Sequence, residues 1–118
     1  MENVGLMFRP IKIGSTDGVR HETAVALIDT GCDETVIKES LAKRLKLKSY
    51  GEFRTVSASQ HEMLGYYTEV EIRDLKDDIG GIQYVGVSNI PFNSDEGIVA
   101  ILGVDFLQKN HIILSFNS

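Results

Sequence analysis

The chain has 118 residues, a net charge of -5 and ordinary shares of hydrophobic (42%) and charged (25%) residues, which suits one domain spanning residues 1–118. The net negative charge argues against a nucleic-acid surface. No stretch approaches the roughly 20 apolar residues of a membrane span, and residues 1–10 lack a basic region followed by an apolar run. We therefore expect a cytoplasmic protein with neither nucleic acid nor membrane as a partner.

The first half of the chain predicts strands and one helix. Short runs rich in β-branched and aromatic residues, separated by turn residues, indicate a mainly β fold. Strands are expected at 8–13 and 22–28, antiparallel and joined through the turn Asp17-Gly18. A short amphipathic helix is expected at 39–47, with Ser40 as its N-cap.

The second half predicts a long hairpin followed by short elements. Strands at 53–57 and 63–75 frame a polar tip at 58–62, which indicates a projecting hairpin. Gly80-Gly81 is then expected to turn the chain. The remaining elements are strands at 82–87, 98–102 and 111–116, with a helical segment at 104–110 before the last of them.

One segment carries a chemical signal. An apolar strand runs directly into Asp29-Thr30-Gly31 and is followed by a second apolar run. A carboxylate at the end of a buried strand is costly unless it has a partner or a task. Asp-x-Gly also closes simple turns, so the tripeptide by itself leaves both interpretations open.

The surrounding residues favour a functional acid. Residues 27–37, Leu-Ile-Asp-Thr-Gly-Cys-Asp-Glu-Thr-Val-Ile, resemble the active-site loop of the retropepsin-like aspartic peptidases, which comprise retroviral and retrotransposon proteases and cellular single-domain relatives. Residues 100–107, Ala-Ile-Leu-Gly-Val-Asp-Phe-Leu, are similar to the family's segment that leads into the C-terminal helix. The hairpin tip at 58–62 stands in the place of the family's flap.

The resemblance implies a fold and a set of site residues. The fold is a retropepsin-like closed β-barrel subunit with a flap hairpin and one or two short helices, forming a symmetric homodimer. In the family, the motif threonine locks the two active-site loops together and the glycine lets backbones approach closely. The implied catalytic residues are Asp29, Thr30 and Gly31; the substrate-binding residues are Asp33, Glu34, Ala58, Ser59, Gln60 and His61; the dimer-interface residues are Ile112, Ile113, Leu114 and Phe116.

The chemistry independently favours a dimer. Aspartic peptidases use two carboxylates that share one proton, one acting as base on a water and the other polarising the scissile carbonyl. The sequence contains a single Asp-Thr/Ser-Gly, and a twofold interface would supply the second acid. We therefore expect an endopeptidase that hydrolyses extended peptide substrates without a cofactor.

Some positions depart from the retroviral pattern. Val104 stands where retroviral enzymes commonly carry an arginine that pairs with the acid corresponding to Asp33. Arg9 or Arg54 is a possible substitute for that arginine. Asp105, at the start of the predicted helix, is expected to make a capping or loop hydrogen bond.

The cysteine and the three histidines are not expected to take part in catalysis or metal binding. Cys32 is expected to be a buried structural residue rather than a nucleophile. His21, His61 and His111 lack zinc-ligand spacing, so no metal is expected. Two alternatives stay open: a catalytically silent dimer of the same fold that binds peptides or acts in assembly, and a protease cut from a retroelement polyprotein.

Overall fold

The structure, a computed structural model, describes residues 7–56, 62–88, 98–110 and 112. Within these ranges the fold is mainly β, as predicted, with two short helices. The elements are β1 (Met7–Gly14), β2 (His21–Ile28), β3 (Val36–Lys38), α1 (Glu39–Arg44), β4 (Glu52–Val56), β5 (Glu62–Asp74), β6 (Ile79–Ser88), β7 (Ile98–Leu102) and α2 (Val104–Lys109).

The strands close into a barrel. They are hydrogen-bonded in the order β1-β2-β7-β3-β6-β5-β4, and β1 also pairs with β5. Six strands thus form a ring, and β4 extends from the edge of β5. The predicted hairpins are confirmed, since β1 pairs antiparallel with β2 and β4 pairs antiparallel with β5.

Alternation along the strands fills the barrel interior. Residues two apart on a strand share a face, and one face of each barrel strand carries buried aliphatic side chains while both helices contribute apolar residues to the same core. Each fully buried aliphatic side chain contributes about 1.5 to 3 kcal/mol. The core includes Ile11, Ile13, Ile28, Ile37, Leu41, Val70, Ile72, Val85, Val87, Leu102 and Phe106.

The position of β7 determines where the site lies. β7 runs parallel to β2, with Ile28 opposite Leu102, and antiparallel to β3, with Val36 opposite Ile101. Strands β2 and β3 are close in sequence, yet β7 lies between them. The connection formed by residues 29–35 must therefore pass around the end of β7, next to the start of α2.

Three predictions about local structure were wrong. Gly80 and Gly81 lie inside β6 rather than in a turn, and the chain reverses at residues 75–78, where Asp78 adopts φ 55°. Lys38, not Ser40, is the N-cap of α1, and its side chain makes no capping hydrogen bond. The helix ends at Arg44, before the expected residue 47.

Two predicted features lie outside the described residues. These are most of the hairpin tip, residues 58–61, and nearly all of the strand expected at 111–116. Neither helix in the described part of the chain has the length and apolar character that a membrane span requires.

Candidate active site

Asp29 directly follows β2 and is held by backbone hydrogen bonds. Its N–H donates to the carbonyl of Leu102 (3.1 Å), which continues the pairing of β2 with β7. The N–H of Cys32 donates to the Asp29 carbonyl (3.0 Å), and the N–H of Gly31 donates to Oδ1 of the Asp29 carboxylate (2.9 Å). Asp29 is half-buried, while Thr30 and Gly31 are exposed. The carboxylate is therefore held in position on a loop whose next two residues are exposed.

The far side of this loop is attached to the start of α2. The N–H of Val104 donates to the carbonyl of Cys32 (2.9 Å), and the N–H of Asp105 donates to the carbonyl of Asp33 (3.2 Å). A Cβ atom at Gly103 would lie 2.6 Å from the Cys32 oxygen, so only glycine permits this approach. The two segments singled out from the sequence are thus in direct contact.

Thr35 was missed by the sequence analysis and connects these segments. Its buried hydroxyl donates to Oδ1 of Asp105 (2.7 Å) and accepts from the N–H of Gly103 (3.1 Å). Gln83 donates to the other oxygen of Asp105 at 3.4 Å. The prediction that Asp105 makes a loop hydrogen bond is confirmed. A buried threonine inside the acid motif was the available signal, but its partner lies 70 residues away.

Neither Arg9 nor Arg54 pairs with Asp33, so the prediction that one of them replaces the family's arginine was wrong. Arg9 lies on the interior-facing side of β1 and bonds the buried carboxylate of Asp74, so it cannot reach the exposed Asp33. Arg54 pairs with Glu62 across the β4–β5 hairpin. Asp33 forms no ion pair with any residue that the structure describes.

Glu34 is held by a tyrosine that the sequence analysis did not single out. The Tyr67 hydroxyl donates to Oε2 of Glu34 at 2.7 Å and lies 3.2 Å from Oε1. This hydrogen bond, with burial and the negative charges of Glu34 and Asp105, raises the pKa of Tyr67 to about 12. The carboxylate of Glu34 is therefore fixed beside the acid loop.

A small apolar cluster supports the loop on the outside of the barrel. The Phe53 and Tyr67 rings pack edge to face, with centroids 5.0 Å apart, and Phe53 fills the space above Gly86. The cluster comprises Cys32, Val36, Phe53 and Ile101, with Tyr67 packed against it.

Cys32 belongs to this cluster as a buried structural residue, as predicted. It is fully buried, and its thiol donates to the carbonyl of Glu34 at 3.0 Å. Desolvation raises the pKa of the Cys32 thiol, which disfavours the reactive thiolate. Across the described ranges, no group of three or more His, Cys, Asp or Glu residues is arranged to hold a metal ion.

Most of the remaining predicted site residues lie outside the part of the chain that the structure describes. Ala58, Ser59, Gln60 and His61 lie outside the described residues, as do Ile113, Leu114 and Phe116. Ile112 is described: it is half-buried against the barrel core, and its N–H donates to the carbonyl of Leu107 at 2.9 Å.

Comparison with solved structures supports the fold. The chain is similar to the EIAV protease, solved in complex with the inhibitor HBY-793, with a TM-score of 0.64 and 24% sequence identity. The alignment covers 98% of this chain and 99% of that protease. No curated protein sequence matches the chain.

Comparison with models of protein families identifies the family to which the chain belongs. The family described as "gag-polyprotein putative aspartyl protease" matches residues 18–109. The match spans well over half of the chain and includes both the acid loop and the segment that begins α2. The chain therefore belongs to the gag-polyprotein aspartyl protease family.

Proposed function

We propose that the chain is one domain and one subunit of a homodimeric aspartic endopeptidase, in which the Asp29 carboxylates of two copies activate the hydrolytic water. The observation that carries this proposal is the Asp29 carboxylate itself, fixed by the N–H of Gly31 on a loop whose outer residues are exposed. Thr30, an exposed residue of this loop, would lock the two loops together across the twofold axis.

The arrangement within one subunit is half of a catalytic site. Among the described residues, no second carboxylate is hydrogen-bonded to Asp29. An aspartic peptidase needs two acids that share a proton, one as base and one as hydrogen-bond donor to the scissile carbonyl. A symmetric copy would bring the second Asp29 without a second motif.

The proposed substrate is an extended polypeptide that lies along the acid loop. Such a segment would bind as an added strand, with backbone hydrogen bonds giving affinity and side-chain pockets giving specificity. Asp33 and Glu34 of the acid loop would contact one side of the substrate. The residues of the hairpin tip would cover its other side; they are Ala58, Ser59, Gln60 and His61. Interface contacts would come from Ile112, Ile113, Leu114 and Phe116. No cofactor enters this chemistry, and the proposed location is the cytoplasm.

Subunit mixing tests the half-site. Asp29→Asn should abolish cleavage of a peptide library, because an amide cannot share the proton. When equal amounts of wild-type and Asp29→Asn chains exchange at constant total concentration, random pairing leaves about one quarter of the dimers with both acids. Activity should then fall to about one quarter of that of the all-wild-type sample, whereas a monomeric enzyme would keep about one half.

Asp105→Asn is the matched control, since this acid lies beside the loop but takes no part in the proposed chemistry. It should retain cleavage. Undiminished activity of folded Asp29→Asn would remove Asp29 from the mechanism. A wild-type dimer that cleaves no peptide would favour the silent binding module instead.

A further inference from the structure

Three tyrosines form a shallow trough on the outer face of the barrel. Tyr50, Tyr67 and Tyr84 line a depression of about 410 Å³, and the rings of Tyr50 and Tyr84 meet edge to face with centroids 5.7 Å apart. Tyr50 and Tyr84 are 54% and 55% exposed. Exposed aromatic surface of this kind marks interaction sites more often than isolated apolar residues do.

The trough is a built feature of the fold. The N–H of Tyr50 donates to the carbonyl of Tyr67 (2.7 Å), and the N–H of Tyr67 donates to the carbonyl of Gly51 (2.8 Å). Tyr67 is further held by its hydrogen bond to Glu34 and by its contact with Phe53. The aromatic faces are therefore positioned before any ligand arrives.

Carboxylates of strand β5 and of the acid loop lie next to the tyrosines of the trough. Glu69 lies directly opposite Tyr84 in the β5–β6 pairing, and Glu71 lies opposite Ile82 on the same face. Glu34 adds a third carboxylate, bonded to the Tyr67 hydroxyl. Cations are also near this face: the ammonium of Lys109 donates to the carbonyl of Ile82, and Glu71 lines a neighbouring depression together with Lys12, Arg20 and Arg73. Exposed Lys48 precedes Tyr50 by two residues.

We propose that the tyrosine trough binds an arginine side chain of the polypeptide substrate, outside the catalytic loop. Aromatic faces attract cations through their quadrupole, and the planar guanidinium of arginine stacks on such faces while bonding carboxylates. The Tyr67–Glu34 hydrogen bond makes the trough continuous with the acid loop. The identity of the ligand as substrate rests on the proposed function, whereas the recognition of arginine does not.

Binding is tested first in a chain that cannot cleave. The Asp29→Asn protein is titrated with an alanine-based pentapeptide amide that carries one central arginine, and with the same peptide carrying citrulline, its neutral isostere. Ring resonances of isotopically labelled tyrosine are followed by NMR. Arginine should shift the Tyr50 and Tyr84 signals and bind more tightly than citrulline, and Tyr84→Leu should weaken binding by about two- to fivefold.

Charge variants provide matched controls. Glu69→Gln should weaken arginine binding, whereas Glu52→Gln should not, because Glu52 is exposed on β4 and pairs with Tyr66 on the other face of the sheet. Lys109→Gln should strengthen binding. Equal binding of arginine and citrulline, or shifts confined to other residues, would overturn the proposal.

Cleavage then tests the substrate role. In peptides that the wild-type protein cuts, arginine is replaced by citrulline at each position in turn. At one of these positions the replacement should raise KM, and in Tyr84→Leu the arginine and citrulline peptides should have the same KM. Arginine binding without cleavage of any peptide would contradict the proposed function alone. Cleavage with no arginine preference at any position would contradict the substrate role of the trough.

Discussion

Replacing Thr35 by valine tests how the acid loop is held. Valine has nearly the same shape but no hydroxyl, so the buried N–H of Gly103 loses its acceptor and Asp105 loses a donor at 2.7 Å. A buried amide without a partner costs about 1 to 3 kcal/mol, and a hydrogen bond to a charged group contributes about 1.5 to 3 kcal/mol.

The expected loss of stability lies below the sum of these values. Asp105 is only partly buried and keeps hydrogen bonds from the N–H of Phe106 (2.7 Å) and from Gln83 (3.4 Å). We therefore expect Thr35→Val to lower the free energy of unfolding by about 2 to 4 kcal/mol, a large part of the 5 to 15 kcal/mol that is typical of a domain.

Urea unfolding at a fixed chain concentration measures this change. Thr35→Ser is the control, because it keeps the hydroxyl and loses one methyl group, at a cost of about 1 kcal/mol. Cleavage should also drop in Thr35→Val, since the loop that carries Asp29 loses its attachment to α2. Equal stability of the valine and serine variants would refute the reasoning.

Two further predictions concern the outer apolar cluster. Gly86→Ala should destabilise the protein by about 1 to 3 kcal/mol, because the added Cβ would lie 2.3 Å from the Phe53 ring. Gly81→Ala is the control on the same strand: its Cβ would have no atom within 4 Å, so Tm in a thermal melt should be nearly unchanged. The pKa of Tyr67, raised from 10.0 to about 12, predicts that its hydrogen bond stabilises the fold fully below pH 10 and that this contribution is lost as pH rises through 12. Phenolate absorbance, followed in rapid jumps to alkaline pH, should show one tyrosine that ionises at a higher pH than the others. Glu34→Gln should lower the pH at which this tyrosine ionises; no change would contradict the assignment of the raised pKa to the Tyr67–Glu34 hydrogen bond.

Local patterns predicted much of the fold and the centre of the site. Alternating residues identified the strands, and the two glycine-containing segments identified both sides of the acid loop. Gly80 was misinterpreted because turn preference and close strand packing both select glycine, and here a Cβ would lie 2.0 Å from the carbonyl of Ile72. Thr35 and Tyr67 were missed because their partners are distant in sequence and no local pattern marks such pairs.

The placement of β7 between β2 and β3 also affects when the site can form during synthesis. Residues 29–35 receive their native geometry from Leu102 and from the start of α2, about 70 residues later. Contacts of such long range form only after the intervening chain is available, and they slow folding. A nascent chain that has not yet emerged beyond β7 carries the acid motif without its native geometry, so the acid loop can form only after nearly the whole barrel has been made.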